Sequence, residues 1–127
     1  MRQRELVRVL LHKAAQDEAV LRSLLPDSTF DTATLGFHAQ QAMEKLLKAW
    51  LAHLGVDYPH VHRLETLAEL LQNHGEALPL TLSDLMRLTP FGTVFRYDDL
   101  PLETDVEPET MLGQVEKLRA FVESKIG

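Results

Sequence analysis

Apolar residues recur every three or four positions along most of this chain, which is the spacing of one stripe on a helix of about 3.6 residues per turn. The strongest stripe is Leu35, Ala39, Ala42, Met43, Leu46, Leu47, Trp50, Leu51 and Leu54. It predicts a helix capped by the side-chain oxygen of Asp31 or Thr32 and ending at about His53 or Leu54, with Gly55 as the C-terminal cap. Ahead of it, Leu6, Val7, Leu10, Leu11, Ala14, Leu21, Leu24 and Leu25 predict a first helix from about Arg4 to Leu25. Arg2, Arg4, Arg8, Lys13, Asp17, Glu18 and Arg22 are expected to point away from its apolar side. Pro26-Asp27-Ser28 ends it, because proline disfavours helical geometry in the residue before it.

A third helix is expected from about Arg63 to Asn73, with Leu64, Leu67, Ala68, Leu70 and Leu71 inward and Asn73-His74-Gly75 as its stop. A fourth begins near Pro79 or Thr81 and carries Leu82, Leu85, Met86 and Leu88. Pro90 lacks the donor that would continue the ladder, so a break or kink falls at Pro90 to Gly92, beyond which helical backbone can resume over 93–97. Residues 98–109 are acidic, carry two prolines and read as a loop. The last helix starts at about Pro108, a favoured first position, with Glu107 and Glu109 at the positive end of its dipole. Its inward set is Met111, Leu112, Val115, Leu118, Phe121, Val122 and Ile126.

No alternating strand pattern of useful length occurs. Short connections favour antiparallel neighbours, so the expected fold is all-α: an up-and-down antiparallel bundle of four core helices plus an additional short or C-terminal helix, forming one domain over 1–127. A hydrophobic share of 45% and a charged share of 25% are those of an ordinary globular chain. The absence of cysteine excludes disulfides, thiolate metal sites and cysteine nucleophiles. The basic start, Met1 to Arg4, is interrupted by Arg8, His12 and Lys13 before any long apolar run, and nothing approaches the roughly 20 apolar residues of a membrane span. A cytoplasmic protein with no membrane contact is expected. A net charge of -6 disfavours non-specific duplex DNA, so a nucleic-acid or nucleotide site would have to be a local basic pocket.

Candidate chemistry is sparse. Gln40, Gln41, Glu44, Lys45 and Lys48 form the polar face of the second helix, which fits a solvated surface and half of a polar cleft equally well. The Glu44 and Lys48 spacing is worth only a few tenths of a kcal/mol on an exposed face, about 0.2–0.5. Arg96-Tyr97-Asp98-Asp99 is a dense polar group; residue physics alone favours a helix-end charge with local ion pairs. His60 and His62 lack the i, i+4 or carboxylate partners of a metal site, so no metal is expected and His62 reads as a loop hydrogen-bonder. There is no glycine-rich phosphate loop and no dinucleotide fingerprint.

Three segments taken together resemble the HEPN family (higher eukaryotes and prokaryotes nucleotide-binding domains). The first is Phe37-His38-Ala39-Gln40-Gln41-Ala42-Met43-Glu44-Lys45-Leu46-Leu47-Lys48-Ala49, similar to the family's long helix-two signature. The second is His62-Arg63-Leu64, at the start of the next helix. The third runs from Leu88-Thr89-Pro90-Phe91 to Phe95-Arg96-Tyr97-Asp98 and resembles the segment ending in the family's arginine–aromatic pair. The resemblance implies a homodimer with a shared polar cleft, often partnered by a minimal nucleotidyltransferase in toxin–antitoxin-like pairs. It implies a ligand site for nucleotide or RNA that draws on Arg96, Tyr97, Asp98, Lys45, Gln41, Glu44, Lys48 and His38, with no cofactor. Ribonucleolytic members carry a histidine four to six residues after the arginine, as acid or base. Here Tyr97 to Leu102 contain none, and no histidine follows Arg96. The expectation is therefore a binding and dimerisation module, against a divergent metal-independent ribonuclease using Arg96 and against a ligand-free structural dimer.

Overall fold

The computed structural model describes residues 2–92 and 104–127. Among these, five α-helices and one 3-10 turn form the fold: α1 (Gln3–Leu24), α2 (Thr32–His53), α3 (Leu64–Asn73), α4 (Leu82–Leu88), the 3-10 turn Thr89–Gly92 and α5 (Pro108–Ile126). No strand occurs among the described residues. The all-α bundle expected from the apolar spacing is therefore the fold, with α4 as the additional short helix.

The element ends follow from local chemistry. The Asp31 carboxylate accepts the Thr34 amide at 2.8 Å and caps α2. Gly55 ends it with φ +73, and the amides of Gly55 and Val56 turn back to the carbonyls of Ala52 and Leu51. Only glycine enters that left-handed backbone without steric cost. At α4 the Thr81 hydroxyl accepts the Asp84 amide while Asp84 accepts the Thr81 amide, a reciprocal capping box. Pro90 does not kink α4. The helix ends at Leu88, and the proline sits in the 3-10 turn, which closes on the wholly buried Phe91.

α2 is the axis of the bundle: 13 of its 22 residues are buried, against four in α1. Trp50, in its last turn, has no exposure, its ring 5.5 Å from that of Phe121 and its indole N–H donated to Glu76 at 3.1 Å. Gln3 meets the end of α2 at the His53 carbonyl, while Asp17 meets Lys45 and His38 nearer its start, so α1 and α2 run antiparallel. Glu18 with Arg119 and Arg22 with Glu116 set α5 antiparallel to α1 as well.

Several side chains depart from the sequence pattern: Leu54, the last residue of the α2 stripe, is 40% exposed at the C-cap, and Gln40 and Glu44 of the polar face are buried. Glu18, expected to face away from the core side, is buried, because Arg22 and Arg119 each reach its carboxylate at 2.8 Å and replace its water. Met86, expected to continue the apolar side of α4, is 55% exposed, since a helix of seven residues has one buried edge, taken by Leu85 and Leu88.

Candidate functional site on the polar face of α2

The polar face of α2 is not plain surface. Gln40 is wholly buried and Glu44 is 5% exposed. A carboxylate taken out of water must be neutralised and hydrogen-bonded, and Glu44 is both. Lys48 donates to one of its oxygens at 2.9 Å and Gln40 to the other at 3.0 Å. The His62 Nδ1 lies 3.0 and 3.1 Å from the two oxygens. Burial pushes the Glu44 carboxyl up, but the hydrogen bonds from Lys48, Gln40 and His62, with the Lys48 charge, outweigh it and hold the group below its ordinary value.

Gln40 ties this cluster to the rest of the fold. Its amide nitrogen also donates to the His62 carbonyl at 2.8 Å, fixing the loop that leads into α3. Its amide oxygen accepts from Gln41 at 2.7 Å. Gly92, the last residue of the 3-10 turn, packs directly on it; a Cβ there would stand 2.7 Å from the Gln40 Cδ. Thr89, in the same turn, accepts the first amide of α3 (Leu64, 3.0 Å) and donates to Glu65 at 3.3 Å. One amide side chain and one turn thus lock α2, the start of α3 and the exit of α4 together.

A second polar group lies where α2 faces α1. Lys45 and Asp17 form an ion pair, and the His38 Nδ1 is 3.4 Å from the other Asp17 oxygen. All three side chains are mostly buried, and His38 meets the Phe37 ring edge-on at 5.3 Å.

The expected site residues therefore divide. Glu44 and Lys48 converge with Gln40 and His62, and Gln41 joins them through Gln40. Lys45 and His38 converge on Asp17. Arg96, Tyr97 and Asp98 lie outside the described residues. Lys48 is 13% exposed and also lies 5.9 Å from the Tyr58 ring centre, so its pairing with Glu44 is a nearly buried contact, not the exposed pair its spacing suggested. Sequence reasoning did not single out Asp17 or the bridging role of Gln40. Gln40 carried a signal, its i, i+4 spacing to Glu44; Asp17 carried none, being one of several charges on α1.

Two clefts among the described residues are lined by other side chains. One of about 660 Å³ is lined by Arg2, Gln3, Arg4, Val7, His53 and Ile126, and one of about 490 Å³ by residues that include Leu6, Ala52, Tyr58 and His60. The first is a shallow opening at the far end of α2, where His53 lies about 20 Å along the helix from Gln40 at 1.5 Å per residue; the second runs from that end along the following loop to Tyr58, which lies beside Lys48. The charged and histidine side chains that line these clefts are exposed, whereas the polar network holds the buried Glu44 carboxylate. Among the described residues no group of three or more His, Asp or Glu side chains could hold a metal ion, and no helix is long and apolar enough to cross a membrane.

The family model for the HEPN domain matches residues 7–125. Neither the curated proteins nor the solved structures contain a significant match to the chain.

Proposed function

Since the chain belongs to the HEPN domain family, we propose that it is a binding and dimerisation module which holds a nucleotide or RNA beside the polar face of α2. In this reading Arg96 contacts phosphate, Gln41 offers hydrogen bonds to base or ribose, and Tyr97 offers a stacking face. Lys45 and Lys48, each paired with an acid (Asp17 and Glu44), hold the face in register and support the Arg96 contact. Asp98 and His38 border it. The partner is a minimal nucleotidyltransferase, in a two-component system of the toxin–antitoxin kind, and the module works as a homodimer in the cytoplasm.

The observation that carries this reading is the burial of Glu44 with its ring of donors, roofed by Gly92. A carboxylate is costly to bury for stability alone. Here it organises the loop before α3 and the turn from which the chain proceeds, within four residues, to Arg96. The test is a titration with single-stranded RNA and with nucleotides at low salt, with light scattering to read the oligomer. We expect a dimer whose RNA affinity falls with rising salt and is lost in Arg96→Ala. A folded monomer that binds neither ligand would end the proposal.

A second reading, a divergent metal-independent ribonuclease, has one observation in its favour: the Glu44 carboxylate orients the His62 ring, as a base must be oriented. Cleavage of total RNA that disappears in Arg96→Ala would establish it, and an inert wild-type protein would remove it.

A further inference from the structure

We propose that the outer face of α1 is a pairing surface for a second copy of this chain, with the two α1 helices antiparallel about a two-fold axis. The inference rests on the reading that the chain is a homodimer, and it names the face through which the copies meet.

α1 carries two stripes. One, through Val7, Ala14 and Leu21, is buried in the bundle. The other runs through Leu6, Val9, Lys13, Gln16, Val20 and Ser23, in alternating steps of three and four residues. That is the period, about 3.5 residues, of a seam along which one helix meets another. All of these but the half-buried Leu6 are exposed. Val9 is 42% and Val20 36% exposed, so two of the large apolar side chains left open to water stand on this one line, about three turns apart. The same steps reach Arg2 at one end and Asp27 at the other. The backbone keeps winding that far, since the amides of Leu25 and Asp27 donate to the carbonyls of Leu21 and Leu24.

The seam matches itself when it is turned end for end. About the point between Ala14 and Ala15, Val9 falls on Val20, Lys13 on Gln16, Leu6 on Ser23 and Arg2 on Asp27. A two-fold contact makes each of these pairs twice. The valines close an apolar contact on either side of the axis. Lys13 reaches the Gln16 amide oxygen and lays its stem along the seam, and each Arg2 meets a carboxylate. A polar residue at a seam position costs stability but fixes the register. Parallel pairing in register would set Lys13 on Lys13 and Arg2 on Arg2.

The wider charge pattern favours the same direction. The first half of α1 carries Arg4 and Arg8 besides Arg2 and Lys13, against the single acid Glu5, and none of these makes an ion pair among the described residues. In the second half Asp17, Glu18 and Arg22 are already paired within the fold. Asp27 makes no ion pair there, and its hydrogen bonds with Thr29 keep its carboxyl below the ordinary value, hence ionised. Open cations at one end and an open carboxylate at the other meet only when the helices are antiparallel. α2 reaches α1 on one flank of the seam, through Gln3 and Asp17. The two-fold axis therefore sets both α2 helices on the same side of the pair, as a shared polar surface requires.

The experiment uses the full chain, which has no cysteine of its own. Val9→Cys and Val20→Cys proteins, mixed in equal amounts and oxidised, should cross-link chiefly to each other, well above the share that random pairing gives. Circular dichroism checks that both fold. By light scattering, Arg2→Asp and Asp27→Arg should each weaken the wild-type dimer about tenfold, through two reversed charge contacts. The double variant Arg2→Asp/Asp27→Arg should restore it. A dimer whose cross-links join like to like, or whose charge variants associate as wild type does, overturns this interface and leaves the homodimer reading standing. A wild-type chain that stays monomeric overturns both.

Discussion

Removing Glu44 should expose how much of the fold depends on the polar network. In Glu44→Ala, Lys48 keeps its charge at 13% side-chain exposure with no carboxylate beside it. Gln40 keeps only the His62 carbonyl as acceptor, and the His62 Nδ1 turns to water. Breaking a buried ion pair from one side costs about 3–5 kcal/mol. Lys48 can extend its ammonium toward solvent along its flexible stem, which places the expected loss near the lower end, about 3 kcal/mol. Glu44→Gln keeps the shape and one acceptor but exchanges charge-assisted bonds for neutral ones, and should lose about 1–1.5 kcal/mol. Urea unfolding at pH 7 reads both: the midpoints should fall in that order with the slope unchanged. The acid limb gives an independent check. The folded Glu44 carboxyl lies below its ordinary 4.5, so it stabilises the fold above that pH. That contribution disappears as pH drops through the lower folded value. Asp27 and Asp31, also held low by their hydrogen bonds, keep part of this dependence in Glu44→Gln. A Glu44→Ala protein within about 0.5 kcal/mol of wild type, the range of an inert surface change, would refute the view that this face is an integrated network.

Two glycines should respond with opposite signs. A Cβ at Gly36 would stand 2.4 Å from the ring of buried Phe91, so Gly36→Ala should lower stability by about 1–3 kcal/mol, whereas Gly113, with nothing within 4 Å in mid-α5, should gain about 0.5–1 kcal/mol as alanine. Thermal melts of the two variants check this, and a loss at Gly113 would contradict the packing. Thr81→Ala removes the capping box of α4 and should cost about 1 kcal/mol, with early loss of amide-exchange protection confined to 82–92. Gly92→Ala drives a methyl into the Gln40 amide, which lies 2.7 Å away; RNA affinity should fall together with stability, and an unchanged affinity would separate the turn from the ligand face.

What the chain discloses in advance is local. Asp31 and Gly55 mark the ends of α2 because a cap and a left-handed residue act within a few positions of themselves. The apolar stripe predicts the wholly buried set from Ala39 to Leu51 for the same reason. The partners of the polar residues are another matter. Lys45 reaches Asp17 across 28 positions, and Glu18 reaches Arg119 across 101. Nothing in the spacing of α1 distinguishes those two acids from the exposed charges around them. Gln40 and Gln41 look alike in sequence, yet one is wholly buried and bridges three elements while the other is half-buried and bonds to it. His62 was legible as a hydrogen-bonder before α3, but that its acceptor is Glu44 depends on how α2 and α3 pack. The 3-10 turn shows the same division: Pro90 announces a break, and only the packing of Phe91 against Gly36 and of Gly92 against Gln40 shows what the break positions.

Backbone-amide chemical-shift mapping with single-stranded RNA tests the central claim most directly, because the two ends of α2 lie far enough apart to be read separately. The account predicts the largest changes around Gln41, His62 to Glu65 and Gly92, together with Arg96, and their loss at high salt. Changes gathered instead on Gln3, Arg4 and His53, around the cleft at the opposite end of the helix, would show that the polar face of α2 is scaffold and that the ligand binds elsewhere.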